Sequence, residues 1–296
     1  MARDVHLWSV LMRIRLGYRI ELDISKPMAV VATLNVHPSR VPDLLEPDEV
    51  QILPEVEVER FTDLFGNRCI RFLAPQGTIR LSNSTLIEDS GDPDPIPADA
   101  RQIPIERLPA DVVQFLLASR YCEVDQLSGL AWQLFANTPE GWPRVQAILD
   151  WVHSQVTFGY GFARSTKTAL DVSVEKQGVC RDFQHLAITL TRAMNIPARY
   201  VAGYLGDIRS PYAGVGDFSA WYEVFLDGHW WTMDARHNHP RIGRVLMAAG
   251  RDATDVAITT TFGVANLTHF YVESNEMDAE GNLILPQGHP EIPIAA

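Results

Sequence analysis

The sequence predicts an α+β protein in two parts, a small β-sandwich followed by helices packed on an antiparallel sheet. Three observations carry this. The first third alternates polar and apolar residues at the two-residue period of half-buried strands. A Pro- and Asp-rich stretch without periodicity, residues 88–104, then interrupts the pattern. Beyond it the apolar period lengthens to that of helices before strands return. The expected boundaries are 1–104 for the sandwich with its linker, 105–280 for the second domain and 281–296 for a Pro-rich, poorly ordered tail.

Within the sandwich, Arg13 to Ile24 alternate over RIRLGYRIELDI, and Met28 to His37 are richer in β-branched residues. VEVERFTDLFGNRCIRFLAP reads as a hairpin turning at Asp63 to Asn67, and GTIRLSNSTLIE as a further strand. In the second domain, helical segments are expected from Pro109, Leu127 and Gly141. Val145, Ile148, Leu149 and Val152 of the last share one helical stripe. A helix is expected from Cys180 to Met194, stopped by Asn195 and Pro197. RYVAGYLGD, FSAWYEVFL and HWWTMDAR then read as strands, the last two joined by the hairpin dipeptide Asp227-Gly228.

Composition narrows the function. The chain has 296 residues, 46% hydrophobic and 21% charged, close to the globular average and unlike a disordered chain. Gly and Pro stand at 19 each without a collagen period. No apolar run reaches the roughly 20 residues that span a bilayer, and the start lacks a signal-peptide pattern. A net charge of −12 repels phosphate backbones, so nucleic acid is not an expected partner, and without a spanning run neither is a membrane. Arg far outnumbers Lys, which reads as codon composition. Three widely spaced cysteines, Cys69, Cys122 and Cys180, fit neither a disulfide framework nor a Cys-rich zinc site, and point to a reducing cytoplasm.

Cys180 lies where a glycine-containing loop meets a helix start. Free N–H groups there stabilise a thiolate and can hold an oxyanion. The plain alternative is a small buried apolar residue. Around it, GVCRDFQHLAITLTRAMNIPARYVAGYL and FSAWYEVFLDGHWWTMDARHN resemble the transglutaminase-like superfamily of papain-related cysteine enzymes. Cys180, Ile196-Pro197-Ala198-Arg199, Ala220-Trp221 and Asp234 match in order over roughly 60 residues. Bacterial members often carry an N-terminal β region. The resemblance implies a papain-like core and acyl chemistry on an amide of a peptide or protein. Cys180 would be the nucleophile, Asp234 would orient the base, and no metal or organic cofactor would be needed. One position departs: where the superfamily has its histidine, this chain has Ser219, which does not exchange a proton near neutral pH.

A two-residue Asp227-Gly228 turn pairs Leu226 with His229, Trp221 with Asp234 and Ser219 with Arg236. Ser219, Trp221, Asp234 and Arg236 then share one face. His229 and His237 have the opposite parity, and His237 can act as base only if the strand ends or bulges after Asp234. His185, five residues beyond Cys180, is about 140° around the helix and poorly placed. His237-Asn238-His239 reads as a solvated loop rather than a metal site. Trp221 and Arg236 are candidate substrate contacts, while Arg181 and Asp182 are either substrate contacts or a local ion pair. Two functions stay open: cysteine-dependent acyl transfer, with or without a histidine borrowed from the loop after Asp234, or a binding module that has lost turnover.

Overall fold

The computed structural model describes residues 11–214 and 216–287. Six strands open the chain: β1 (Met12–Ile24), β2 (Met28–Ala32), β3 (Gln51–Leu53), β4 (Val58–Thr62), β5 (Arg68–Ala74) and β6 (Gly77–Asp89). The helical part follows with α1 (Val124–Phe135), α2 (Trp142–Gln155), the two-residue β7 (Thr157–Phe158), α3 (Ala169–Glu175), β8 (Gln177–Gly178) and α4 (Cys180–Ala193). Then come β9 (Ala198–Leu205), β10 (Phe218–Leu226), β11 (His229–Met233), β12 (Arg244–Gly250), β13 (Thr259–Thr261), β14 (Ala265–Met277) and β15 (Leu283–Ile284).

The sandwich is built from both ends of the chain. One sheet has the order β15-β14-β1-β6-β3 and the other β13-β2-β5-β4. The alternation in β1 is visible as burial: Ile14, Leu16, Tyr18, Ile20, Leu22 and Ile24 all point into the core. Residues 259–284, placed by sequence in the second domain and the tail, therefore complete the sandwich. Thr259–Thr261 pairs with β2, Ala265–Met277 runs along all of β1, and Leu283 and Ile284 of the expected tail pair with β14. The long strand β14 pairs the otherwise open edge of β1 and buries Val272 in the sandwich core. The remainder of the tail, 288–296, lies outside the described residues.

The stretch expected to be a free linker is a strap. Glu88 and Asp89 finish β6, and the following residues are tied to the second layer. Asp94 binds Arg241 and Arg244, the Arg101 N–H donates to Asp227, and the Trp142 N–H donates to the Ala100 carbonyl. The helix expected from Pro109 is a single 3₁₀ turn at Val113–Leu116. Its hydrogen bonds are drawn outward instead, with the Leu117 carbonyl accepting from the buried Arg192.

The second layer has the sheet order β11-β10-β9-β12, all antiparallel. The α2 stripe Val145, Ile148, Leu149 and Val152 is fully packed, each side chain worth about 1.5–3 kcal/mol of burial. The central α4 is buried from Asp182 to Ala193. It ends as expected, with Asn195 at φ 62° and Pro197 two residues on. Ala220, Tyr222, Val224 and Leu226 of β10 pack with the helices, whereas Phe218 joins the sandwich core, its ring 5.8 Å from Tyr18 and 5.9 Å from Phe270. The start of β10 is thus where the sheet passes from sandwich to helices.

Candidate active site

Cys180 is the first residue of α4 and is partly exposed. The short parallel pair β7–β8 holds the loop in front of it. Gly178 is required there: a Cβ would lie 2.6 Å from that of Asp182. Asp182 is fully buried, accepts the Val179 N–H at 3.0 Å and caps the helix, while Arg181 pairs with it at 3.1 Å. Asp182 is therefore a structural cap rather than a surface that meets substrate. Arg181 keeps part of its surface open, as does Arg236, whose guanidinium lies 3.8 Å from the centre of the Phe158 ring.

Backbone N–H groups of Ala220, in β10, and of Arg181 favour the thiolate form of the Cys180 sulfur. The helix start was expected to depress the thiol pKa. Burial and the Asp217 carboxylate instead push it up to about 11, against the pull of Arg236 and the two N–H groups. Asp217 is itself raised by burial. It lies in the β9–β10 connection, one residue before β10 begins, and sequence reasoning passed it over.

The hairpin register is as expected from Leu226↔His229 to Tyr222↔Met233. The ladder stops there, so Arg236 is not held opposite Ser219. Asp234 begins a turn, closed by the Asn238 N–H donating to the Asp234 carbonyl at 2.8 Å. That turn meets the condition set for His237: its Nδ1 lies 2.8 Å from Asp234 Oδ2. Asp234 is ionised, so Nδ1 carries the proton and Nε2 keeps its lone pair. Burial lowers the His237 pKa from its ordinary value despite the Asp234 bond, and the ring is neutral near pH 7.

Five N–H groups reach the Asp234 carboxylate. Oδ1 accepts from Gln184 Nε2 at 3.1 Å and from the backbones of Arg236 and His237 at 3.0 and 3.1 Å. Oδ2 accepts from His237 and, at 2.8 Å, from Arg244 Nη2. Burial works against the charge, but Arg244 and His237 overcome it and hold the carboxyl far below the usual range. Sequence reasoning missed both Gln184 and Arg244. Gln184 had a legible signal, lying four residues after Cys180 on the same helical face. Arg244 lies in a segment with no recognised pattern.

Trp221, expected at a substrate groove, is 2% exposed and packs with Val201 and Ala249. Its ring lies across Gly203, where a Cβ would sit 2.6 Å from the indole, and beneath Arg244, 5.1 Å away. Alternation places Ser219 on this same face, away from α4. His185 is buried between Tyr121 and Tyr200, accepts the Ala253 N–H through Nε2 and is pushed down to about 3 by burial, as befits a packed residue. His229 is exposed at the hairpin. His239 Nδ1 hydrogen-bonds the His237 carbonyl.

A thiol at a helix start, set against an antiparallel sheet whose next strand ends in a buried aspartate, defines a papain-like fold. The family model of the transglutaminase-like superfamily core matches residues 129–235. A crystal structure from Cytophaga hutchinsonii, assigned as a candidate cysteine protease, is 30% identical with a TM-score of 0.80, and the match covers 95% of each chain. An uncharacterized protein of Mycobacterium leprae is 26% identical over 221 residues, 71% of this chain and 77% of that one. One of Mycobacterium tuberculosis is 28% identical over 127 residues, 38% of this chain and 40% of its own. The chain belongs to the transglutaminase-like superfamily.

Proposed function

We propose that the protein performs cysteine-dependent acyl transfer on amides, by peptide hydrolysis or by deamidation or transamidation of glutamine. Cys180 is the nucleophile and His237, oriented by Asp234, is the base that Ser219 cannot be. The observation that carries this is the 2.8 Å contact between His237 Nδ1 and Asp234 Oδ2, with the ring neutral and its lone pair on Nε2. Because the resting thiol is protonated, the proton leaves as the sulfur attacks rather than beforehand. The thiolate adds to the amide carbonyl, the amine departs with the proton held by His237, and a thioester remains. Water or an amine then resolves it. The Cys180 and Ala220 N–H groups are the candidate oxyanion donors.

The substrate in this reading is a peptide or protein, and Arg181 and Arg236 flank the thiol as its contacts. We take the sandwich and the papain-like core as two functional units, with the sandwich backing one side of the site through Phe218. Among the described residues no helix is long and apolar enough to cross a membrane. Three free thiols support a cytoplasmic setting.

The test uses benzyloxycarbonyl-glutaminylglycine with hydroxylamine and a set of unmodified peptides. Hydroxamate, ammonia or new amines should appear, and vanish in Cys180→Ala. A second reading, a binding module without turnover, is favoured by the raised thiol pKa and by Ser219. Folded protein that yields none of these products would support it.

A further inference from the structure

We propose that Asp94, Arg244 and Asp234 form a charge ladder that fixes the orientation and protonation of His237, with Arg244 as a positioning residue. The inference rests on His237 being the base. Asp94, on the strap, accepts Arg244 Nε at 2.8 Å and the Arg241 backbone N–H at 2.9 Å through one oxygen, Oδ2. Its own N–H donates to the Arg241 carbonyl at 2.9 Å. Arg244 Nη2 then reaches Asp234 Oδ2 at 2.8 Å, the same oxygen that His237 Nδ1 contacts at 2.8 Å. The side chains of Arg244 and Asp234 are 6% and 4% exposed, so water screens these charges little.

Signs follow from the ladder. Arg244 withdraws negative charge from the oxygen that His237 uses, and so weakens the hold of that oxygen on an imidazolium. Asp94 in turn neutralises part of Arg244. Removing Arg244 should let His237 keep its proton to higher pH, and removing the charge of Asp94 should make it lose the proton at lower pH. A merely structural role would loosen the turn in both variants and move His237 in one direction. The other groups facing the ring stay constant between variants. Arg236 and Arg241 act on it from its own segment, the His239 ring lies 6.0 Å away, and from α2 Asp150 and His153 hold Asn238 and the Arg236 carbonyl.

The experiment is a pH titration of the His237 ring nitrogens by long-range ¹H–¹⁵N correlation on the full chain, assigned with His237→Ala. The wild type should show the Nδ1–H tautomer. Arg244→Gln should raise the midpoint by about one unit, Asp94→Asn should lower it, and Arg244→Lys should stay near wild type. Shifts of Arg244→Gln and Asp94→Asn in the same direction, no shift, or an Nε2–H tautomer in the wild type would overturn the proposal. If Arg244→Gln does not fold by circular dichroism, Asp94→Asn decides: a downward shift supports the ladder, and any other result refutes it. The ring titrates whether or not Cys180 turns over a substrate. An intact ladder without turnover therefore refutes only the proposed reaction.

Discussion

Gln184 fills the gap where β10 and the chain after β11 part, and in doing so ties α4 to Asp234. Its Nε2 donates to the Ala220 carbonyl at 3.2 Å and to Asp234 Oδ1 at 3.1 Å, while its Oε1 accepts the Ala235 N–H at 3.2 Å. Ala220 and Ala235 would be the next pair but one beyond Tyr222↔Met233 if the ladder continued. The side-chain amide replaces those ladder bonds, so the helix that carries Cys180 also sets where Asp234 stands. Gln184→Ala leaves a buried donor and acceptor unpaired and should cost about 1–3 kcal/mol. Gln184→Leu, of similar volume, should cost as much, because the loss is polar. Equal stability of Gln184→Leu and wild type by urea unfolding would contradict this.

The resting thiol should resist alkylation. Its pKa of about 11 lies above the free-thiol value of about 8.5, so the iodoacetamide rate at Cys180 should still be climbing at pH 10. Asp217→Asn removes a charge that opposes the thiolate and should move the midpoint down. An unchanged midpoint would show that Asp217 does not act on the sulfur. Between about pH 8.5 and 11 the folded chain keeps this proton and the unfolded chain has lost it. Stability should therefore fall as pH rises through that window.

Asp234→Asn should be among the most damaging single substitutions. It takes away one of the two carboxylates that hold the buried Arg244 and leaves Asp94 alone to balance it, a loss of up to about 3–5 kcal/mol. The Asp234 pKa is depressed in the fold, so its contribution is present above the unfolded value of about 3.9 and is lost as pH falls below it. Thermal unfolding from pH 3 to 7 should show the steepest acid limb for the wild type and a flatter one for Asp234→Asn.

Restoring the superfamily histidine by Ser219→His should not restore a triad on its own. Asp234 already accepts five N–H groups, more than its four or so lone-pair sites take comfortably. Acyl-transfer rates no higher than wild type are expected. A gain of tenfold or more would mean that Ser219 lies within reach of both Cys180 and Asp234.

Gly203→Ala tests the packing beneath the site. Its Cβ would lie 2.2 Å from the Val245 carbonyl oxygen and 2.6 Å from the Trp221 ring. Overpacking of this kind costs about 1–3 kcal/mol or more. A melting temperature within a degree of wild type would show that β12 yields freely.

Much of this was legible in residues. The periodicity of β1, the stripe on α2, the stop of α4 at Asn195 and Pro197, and the Asp227-Gly228 register are local signals, and local signals survive folding. The order of Cys180, Ala220-Trp221 and Asp234 pointed to the candidate site. The rest is tertiary. Nothing near residue 265 says that β14 pairs with β1, some 250 positions earlier. Arg244 and Asp94 are unremarkable until the fold sets them against Asp234. Trp221 looked like a cleft residue because alternation gives its face but not what covers that face. The raised Cys180 thiol comes first from burial and then from Asp217, neither of which the sequence marks as facing the sulfur.

The most direct test of the account is the acylation of Cys180 by p-nitrophenyl acetate at pH 7.5, followed as the burst of p-nitrophenolate in wild type and His237→Ala. If His237 takes the thiol proton, the burst rate should fall about 100-fold in His237→Ala, with the fold intact by circular dichroism. An undiminished burst in that variant would contradict the central claim.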